Sequence, residues 1–354
     1  MCQLLAINAD TPTSFSFIFR KFCHRGGCGD IHKDGWGLCF YEGGGCGIRS
    51  FYDTAACCRS PLAVFLKDTV STKTSNLVAH IRYMTRGDVS IENLHPFVRE
   101  MWGITFCFAH NGDVPLFSHM DKDHHVLLGK ATSDNLVYHE IGDTDSEAVF
   151  CAILNALRAE FPGGLPTLHQ LHDFLAVICE EIVTHKDVIF NFILSCGPNT
   201  LFACSWPGRR PPSTTWNGLH YLVRQEGEPY DATIAATTAT SAPTPSIQSA
   251  NKLEGEDDKI NFIVPPITTS KNDEAIVDVD THYDHSINRI AIVATKPLTD
   301  EVGWIEMKPR ELLMFDRGIP HSKSTDLDTI DCEGRGLLSK CFPKAACHIC
   351  KGKF

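Results

Sequence analysis

The sequence predicts a mixed α and β globular domain, and three observations carry that reading. Short runs rich in Val, Ile and Phe recur along the first two-thirds of the chain. Segments with apolar residues at helical spacing stand between them. Hydrophobic residues make up 43% and charged residues 21% of 354 residues, enough apolar side chain to bury a substantial core.

Strands are expected at Gln3–Asn8, Trp36–Tyr41, Leu77–Arg82, Ile104–Ala109, Val188–Leu194, Leu201–Ser205 and Leu219–Val223. Helices are expected at Phe15–His24, Pro61–Lys67, Ser146–Glu160 and Leu168–Val183. The third helix is the clearest, because Val149, Ile153, Leu154 and Leu157 share one face. It follows Thr144-Asp145-Ser146-Glu147, an acidic start that suits the positive end of a helix dipole. From about Asp231 to Ser286 the texture changes to Thr, Ala, Ser, Pro and acidic residues, a composition that cannot bury enough surface to order itself. Apolar strand-like runs return at Asn288–Thr295 and Glu311–Phe315. The expected organisation is therefore one domain over 2–318 with a flexible insertion at about 231–286. A Cys-rich, poorly ordered tail is expected over 319–354.

The formal net charge of −11 argues against nucleic acid or an anionic membrane as the main partner. The first residues, MCQLLAINADTPTSF, lack the basic and apolar stretches of a secretory signal, and no apolar run is long enough to span a bilayer. A cytoplasmic location is expected, and the 16 scattered cysteines are read as reduced thiols.

Cys2 is the first chemical clue. Removal of Met1 would leave a thiol and a free α-amine on one residue. An α-amine titrates near pH 8, so at neutral pH a useful fraction can take the thiol proton. HKDGWG (His32–Gly37) sets two glycines around a Trp where a strand begins, which suggests close backbone approach. HIRYMTRG (His80–Gly87) places Arg82 and Thr85 where the chain leaves a sheet. FAHNGD (Phe108–Asp113) ends a strand on Asn-Gly, expected as a sharp turn that exposes an amide and a backbone N–H. Each of these, taken singly, has a plain structural explanation as a turn, a cap or a buried strand.

Together and in this order, Cys2, His80-Ile81-Arg82-Tyr83-Met84-Thr85, His110-Asn111-Gly112 and Thr144-Asp145-Ser146-Glu147 resemble the glutaminase domain of class II (N-terminal nucleophile) glutamine amidotransferases. HKDGWG and ENLHPF (Glu92–Phe97) look more like the small stand-alone branch of that family. That branch includes bacterial stand-alone amidotransferases, the γ-glutamyl hydrolase of ergothioneine synthesis and a subunit of a fungal glutathione-degrading complex. The resemblance implies an α+β, four-layer α/β/β/α fold, with two antiparallel sheets between helical layers. It also implies roles for individual residues. Cys2 would be the nucleophile, and Asn111 and Gly112 the oxyanion hole. Arg82 would hold the α-carboxylate of a glutamyl group, Asp145 its α-ammonium, and Thr85 would line the site. His80, His95 and His110 would be supporting polar residues, because the α-amine already serves as base.

The expected activity is hydrolysis of a γ-glutamyl amide through a thioester on Cys2, with no cofactor and no metal. A γ-glutamyl peptide or metabolite is slightly favoured as substrate over glutamine, since nothing in the chain would consume ammonia. The alternatives are a glutaminase subunit that feeds a separate synthase, and a non-catalytic interaction subunit that binds a protein partner. Cys332, Cys341, Cys347 and Cys350 could form a zinc site, but the wide spacing of the first pair favours a tail of free thiols.

Overall fold

A computed structural model of the chain describes residues 2–42, 45–68, 72–84, 88–118, 126–208, 217–225 and 289–322. These residues belong to one contact unit and form two antiparallel sheets. The first holds β1 (Gln3–Ser14), β2 (Trp36–Tyr41), β3 (Ile48–Asp53), β4 (Lys73–Ile81), β9 (His220–Gln225), β10 (Arg289–Ala294) and β11 (Ile305–Glu306). Its order is β11-β9-β10-β1-β4-β2-β3. The second holds β5 (Phe97–Met101), β6 (Ile104–Asp113), β7 (Ile189–Cys196), β8 (Thr200–Ser205), β12 (Glu311–Asp316) and β13 (Ile319–His321). Its order is β13-β12-β8-β7-β6-β5.

Side-chain alternation along β1 shows how the layers arise. Leu4 and Ala6 point between the sheets, where they meet Cys107, Ala109, Ile193 and Ala203. Leu5 and Ile7 point outward and pack with Phe15, Phe19 and Phe22 from the α1 segment (Ser16–His24) and Ala63 and Leu66 of α2 (Pro61–Asp68). On the far side, Phe106, Phe108, Phe190 and Phe192 face Val149, Ile153 and Leu157 of α3 (Asp145–Glu160). The same face packs on Leu171, Leu175 and Ile178 of α4 (Leu168–Val183). Each such side chain removed from water contributes roughly 1.5–3 kcal/mol. The result is an α+β fold of four layers, α/β/β/α.

Most expected elements lie within a few residues of their observed bounds, and the exceptions are instructive. β3 and β5 were not legible, because both are sheet-edge strands whose sequences, IRSFYD and FVREM, carry charged residues. Asn111-Gly112 does not make a turn. β6 runs through it to Asp113, with Asn111 opposite Asn191 and Gly112 opposite Phe190 on β7. The ladder to β7 continues past the residues where Asn-Gly alone predicts a break, so tertiary pairing overrides the local preference.

The cysteines also need correction. Cys28 and Cys58 are joined in a disulfide, and Cys46 is disulfide-bonded as well. The bridge spans 30 residues of sequence, because the fold lays the loop after α1 against the 3-10 turn Cys57–Arg59. Cys57 and Cys58 therefore make different contacts: Cys57 Sγ lies 3.3 Å from Cys23 Sγ.

The segment expected as an insertion, 231–286, lies outside the described residues. The strands on either side of it, β9 and β10, pair antiparallel with Arg289 opposite Gln225. Ile319–His321, placed in the tail by sequence, form β13 against β12. The four C-terminal cysteines lie outside the described residues. No described helix is long and apolar enough to cross a membrane.

Candidate active site

The site assembles where β1 begins, β4 and β6 end and α3 starts. Gln3 pairs with Ile81, which sets Cys2 beside Arg82 and Tyr83. The Tyr83 N–H donates to Cys2 Sγ at 3.3 Å, and the thiol donates to the Tyr83 carbonyl at 3.5 Å. Cys2 itself is half-buried. Burial pushes its thiol up from the ordinary range. The Tyr83 backbone and the Arg82 guanidinium act in the opposite direction, and the Asp145 carboxylate adds to the rise. A charge from the end of β4 and one from the start of α3 thus act on one sulfur.

Arg82 is 5% exposed and donates from Nη1 to the Asp88 carbonyl at 2.6 Å. Its backbone is held by HKDGWG: the Arg82 N–H donates to Gly35 O at 2.9 Å, and Asp34 N–H donates to Arg82 O at 3.3 Å. β2 then pairs Trp36 with Ile81 and Gly37 with His80. A Cβ on Gly37 would lie 2.3 Å from the His95 carbonyl oxygen, so the close approach expected of this motif is real.

Asn111 is fully buried, and its side-chain Nδ2 and Oδ1 have no hydrogen-bond partner among the described residues. Its backbone carbonyl accepts from Asn191 Nδ2 at 3.0 Å. A Cβ on Gly112 would meet the Ile189 carbonyl oxygen at 1.9 Å, which only glycine permits at this rung of the ladder.

Asp145 is the first residue of α3, behind the Thr144 N-cap whose hydroxyl accepts from Glu147 N at 3.3 Å. Its Oδ2 accepts from Val114 N–H at 2.8 Å, so the carboxylate ties the helix start to the end of β6. Glu147 is taken up by structure: it pairs with Arg99 at 2.6 Å and accepts from the N–H groups of Ile141 and Gly142. Thr85 lies outside the described residues.

Three histidines stand behind these groups. His80, His95 and His110 are all buried, with 4.2 Å between the ring centroids of His80 and His95. The His110 N–H donates to His95 Nδ1 at 3.3 Å. His110 Nε2 donates to the Ile189 carbonyl at 3.1 Å, which leaves Nδ1 to accept from Ser146 Oγ at 2.8 Å. Burial pushes all three below the ordinary histidine range, so they are neutral rings at neutral pH.

Asn93 is a residue that motif reasoning left without a role. Buried inside ENLHPF, it donates from Nδ2 to Asp143 Oδ1 at 2.7 Å and to Asp88 O at 3.2 Å, and its Oδ1 accepts from Asp143 N at 3.1 Å. Asp88 O is also the acceptor for Arg82, so Asn93 links the anchor of Arg82 to the residues just before Asp145. The available signal was a short polar residue inside the ENLHPF run. No group of three or more His, Cys, Asp or Glu among the described residues is placed to hold a metal.

Two antiparallel sheets between helical layers, with Cys2 at the head of a central strand, define an α/β/β/α layered protein. The comparisons give the family. Residues 1–240 and 262–332 match the model for "Glutamine amidotransferases class-II". The chain is 30% identical over 318 residues to "Putative glutamine amidotransferase YafJ" of Escherichia coli (strain K12), covering 90% of this chain and 98% of that one. It is 31% identical to a Haemophilus influenzae protein of the same description, over 90% and 85% of the two chains. A 2.0 Å crystal structure titled as a predicted glutamine amidotransferase from Pseudomonas aeruginosa PA01 superposes with a TM-score of 0.53 at 25% identity, covering 91% and 100%. The chain belongs to the class II glutamine amidotransferases.

Proposed function

We propose that this chain is an amidohydrolase that cleaves a γ-glutamyl amide with Cys2 as its nucleophile, acting once Met1 has been removed. The convergence of Arg82 and Asp145 on the Cys2 thiol carries the reading. These two charges are opposite in sign, as are the α-carboxylate and α-ammonium of a glutamyl head group. Bound there, the head group presents its γ-carbonyl to the sulfur.

A thiol raised by burial is protonated at neutral pH and needs a base beside it. The buried neutral histidines are engaged elsewhere or lie low in pKa, whereas the Cys2 α-amine sits on the same residue. The amine takes the thiol proton as sulfur bonds to the γ-carbon. Asn111 Nδ2 and the Gly112 N–H receive the resulting oxyanion. An amide buried without a partner is held at a desolvation penalty of about 1–3 kcal/mol, which an oxyanion acceptor would relieve. Collapse breaks the C–N bond, the leaving amine departs with the proton, and a γ-glutamyl thioester remains on Cys2. Water, deprotonated by the same amine, adds to the thioester and releases glutamate, restoring the thiol.

The test uses mature chain, Cys2→Ala, and a chain whose N-terminus is blocked by an uncleaved fusion verified by mass spectrometry. Glutamate release from glutamine and γ-glutamyl peptides should appear only in the first. Full turnover by the blocked chain would remove the α-amine from the mechanism.

A further inference from the structure

Four cysteines cluster outside the catalytic groups, where the loop after α1 meets the 3-10 turn Cys57–Arg59. They lie at two depths. Cys28 is exposed and Cys58 half-buried, and these two form the disulfide. Beneath them Cys23 and Cys57, each 1% exposed, are thiols 3.3 Å apart. The two segments are pressed together: Cys58 N–H donates to Gly26 O at 3.0 Å, and a Cβ on Gly26 would lie 2.4 Å from Cys57 Cβ.

The loop tethered by this disulfide, residues 25–35, reaches the candidate active site at each end. Arg25 donates to Gln3 Oε1 at 3.3 Å, next to Cys2 in sequence, and to Lys296 O at 3.0 Å and Pro297 O, which follow β10, the strand paired with β1. His32 is buried, 3.4 Å from Asp30, with its ring edge-on to Tyr83 at 5.8 Å between centroids. Asp34 Oδ2 accepts from Met84 N–H at 2.8 Å, and the Asp34 and Gly35 backbones bond both sides of Arg82. Tyr83, whose backbone contacts the Cys2 sulfur, is thus flanked by residues that the loop holds.

We propose that Cys28–Cys58 is a thiol-exchange site for low-molecular-weight thiols, and that opening it loosens the 25–35 loop from Arg82, Tyr83 and Met84 and lowers turnover at Cys2. The exchange balances with thiols alone. A thiolate attacks the exposed Cys28 sulfur, forms a mixed disulfide there and expels Cys58 as a thiolate, which takes up a proton. A second thiol attacks the mixed disulfide, leaving Cys28 as a thiol and releasing the oxidised small disulfide. Two small thiols have supplied two electrons, and the small disulfide reverses the sequence. The inner pair stays out of the exchange because both sulfurs are buried beyond reach of a small thiol, and burial with the neighbouring Cys23 sulfur also pushes the Cys57 thiol well up.

The effect on turnover rests on the hydrolase reading above, so the test keeps two readouts apart. Full-length mature chain is equilibrated in buffers of 2-mercaptoethanol and its disulfide, which carry no γ-glutamyl group, from oxidising to reducing. Differential alkylation with peptide mass spectrometry should show Cys28 and Cys58 becoming reactive together. Hydrogen exchange at the Met84 amide should quicken on the order of tenfold on reduction. Glutamate release should fall by a similar factor, as expected for an active-site displacement below 1 Å. A Cys28→Ser/Cys58→Ser chain should sit at the reduced level in every buffer. If Cys28 and Cys58 alkylate fully without reductant, or Met84 exchange is the same in both states, the proposal is overturned. If exchange responds but no buffer yields glutamate, the exchange site stands and the hydrolase reading fails.

Discussion

Asn111→Leu separates what the folded chain needs from what a γ-glutamyl transition state needs. In the resting structure the Asn111 amide is fully buried with neither polar atom bonded among the described residues. Leucine has a similar shape and no polar atoms. Exchanging the amide for it removes an unsatisfied group worth about 1–3 kcal/mol of desolvation, so stability should hold or rise by roughly 1 kcal/mol. The bond from Asn191 Nδ2 goes to the Asn111 backbone carbonyl and survives the substitution. Catalysis should move the other way. One oxyanion donor is worth about 3 kcal/mol, so kcat should fall roughly 10²–10³-fold with KM little changed. Urea denaturation followed by intrinsic fluorescence gives the first quantity, and steady-state glutamate release from glutamine gives the second. A kcat within tenfold of wild type, or a loss of stability of several kcal/mol, would refute the assignment of this amide to the oxyanion.

Three further outcomes are expected. Asp145→Asn keeps an acceptor for Val114 N–H but removes the charge proposed to hold the substrate ammonium, so kcat/KM should drop by several kcal/mol with folding intact; unchanged kinetics would show that Asp145 only caps structure. Arg82→Ala should likewise collapse kcat/KM, and near-normal values with both glutamine and a γ-glutamyl peptide would dismiss the carboxylate clamp. The third outcome concerns pH. Burial holds His80, His95 and His110 low in the folded chain, while the unfolded chain protonates them below about pH 6.5. The unfolded state then binds more protons, so stability is kept above that pH and lost as pH falls below it, by up to about 4 kcal/mol per pH unit. Equal unfolding free energies at pH 7.5 and 5.5 would mean that these rings are not held neutral.

Sequence alone went far on this chain where the determinants are local. The α3 start was legible because a Thr N-cap and acidic first turn satisfy backbone groups within four residues. Central strands were legible because burial on both faces favours mostly apolar runs, as in Ile189–Cys196. The motif residues Cys2, Arg82, Asn111, Gly112 and Asp145 were singled out by their order along the chain, through its resemblance to a family. What no local pattern contains is pairing between distant segments. Asn-Gly reads as a turn until β7 is placed alongside and carries the ladder through it. Cysteines 30 residues apart read as scattered thiols until the loop after α1 is laid on the Cys57–Arg59 turn. The convergence of Arg82 and Asp145 on one sulfur, and the Asn93 link behind them, likewise exist only once two sheets are stacked. Short-range hydrogen bonding and burial periodicity are written into neighbouring residues, whereas register, bridge partners and electrostatic convergence are set by contacts across the whole fold.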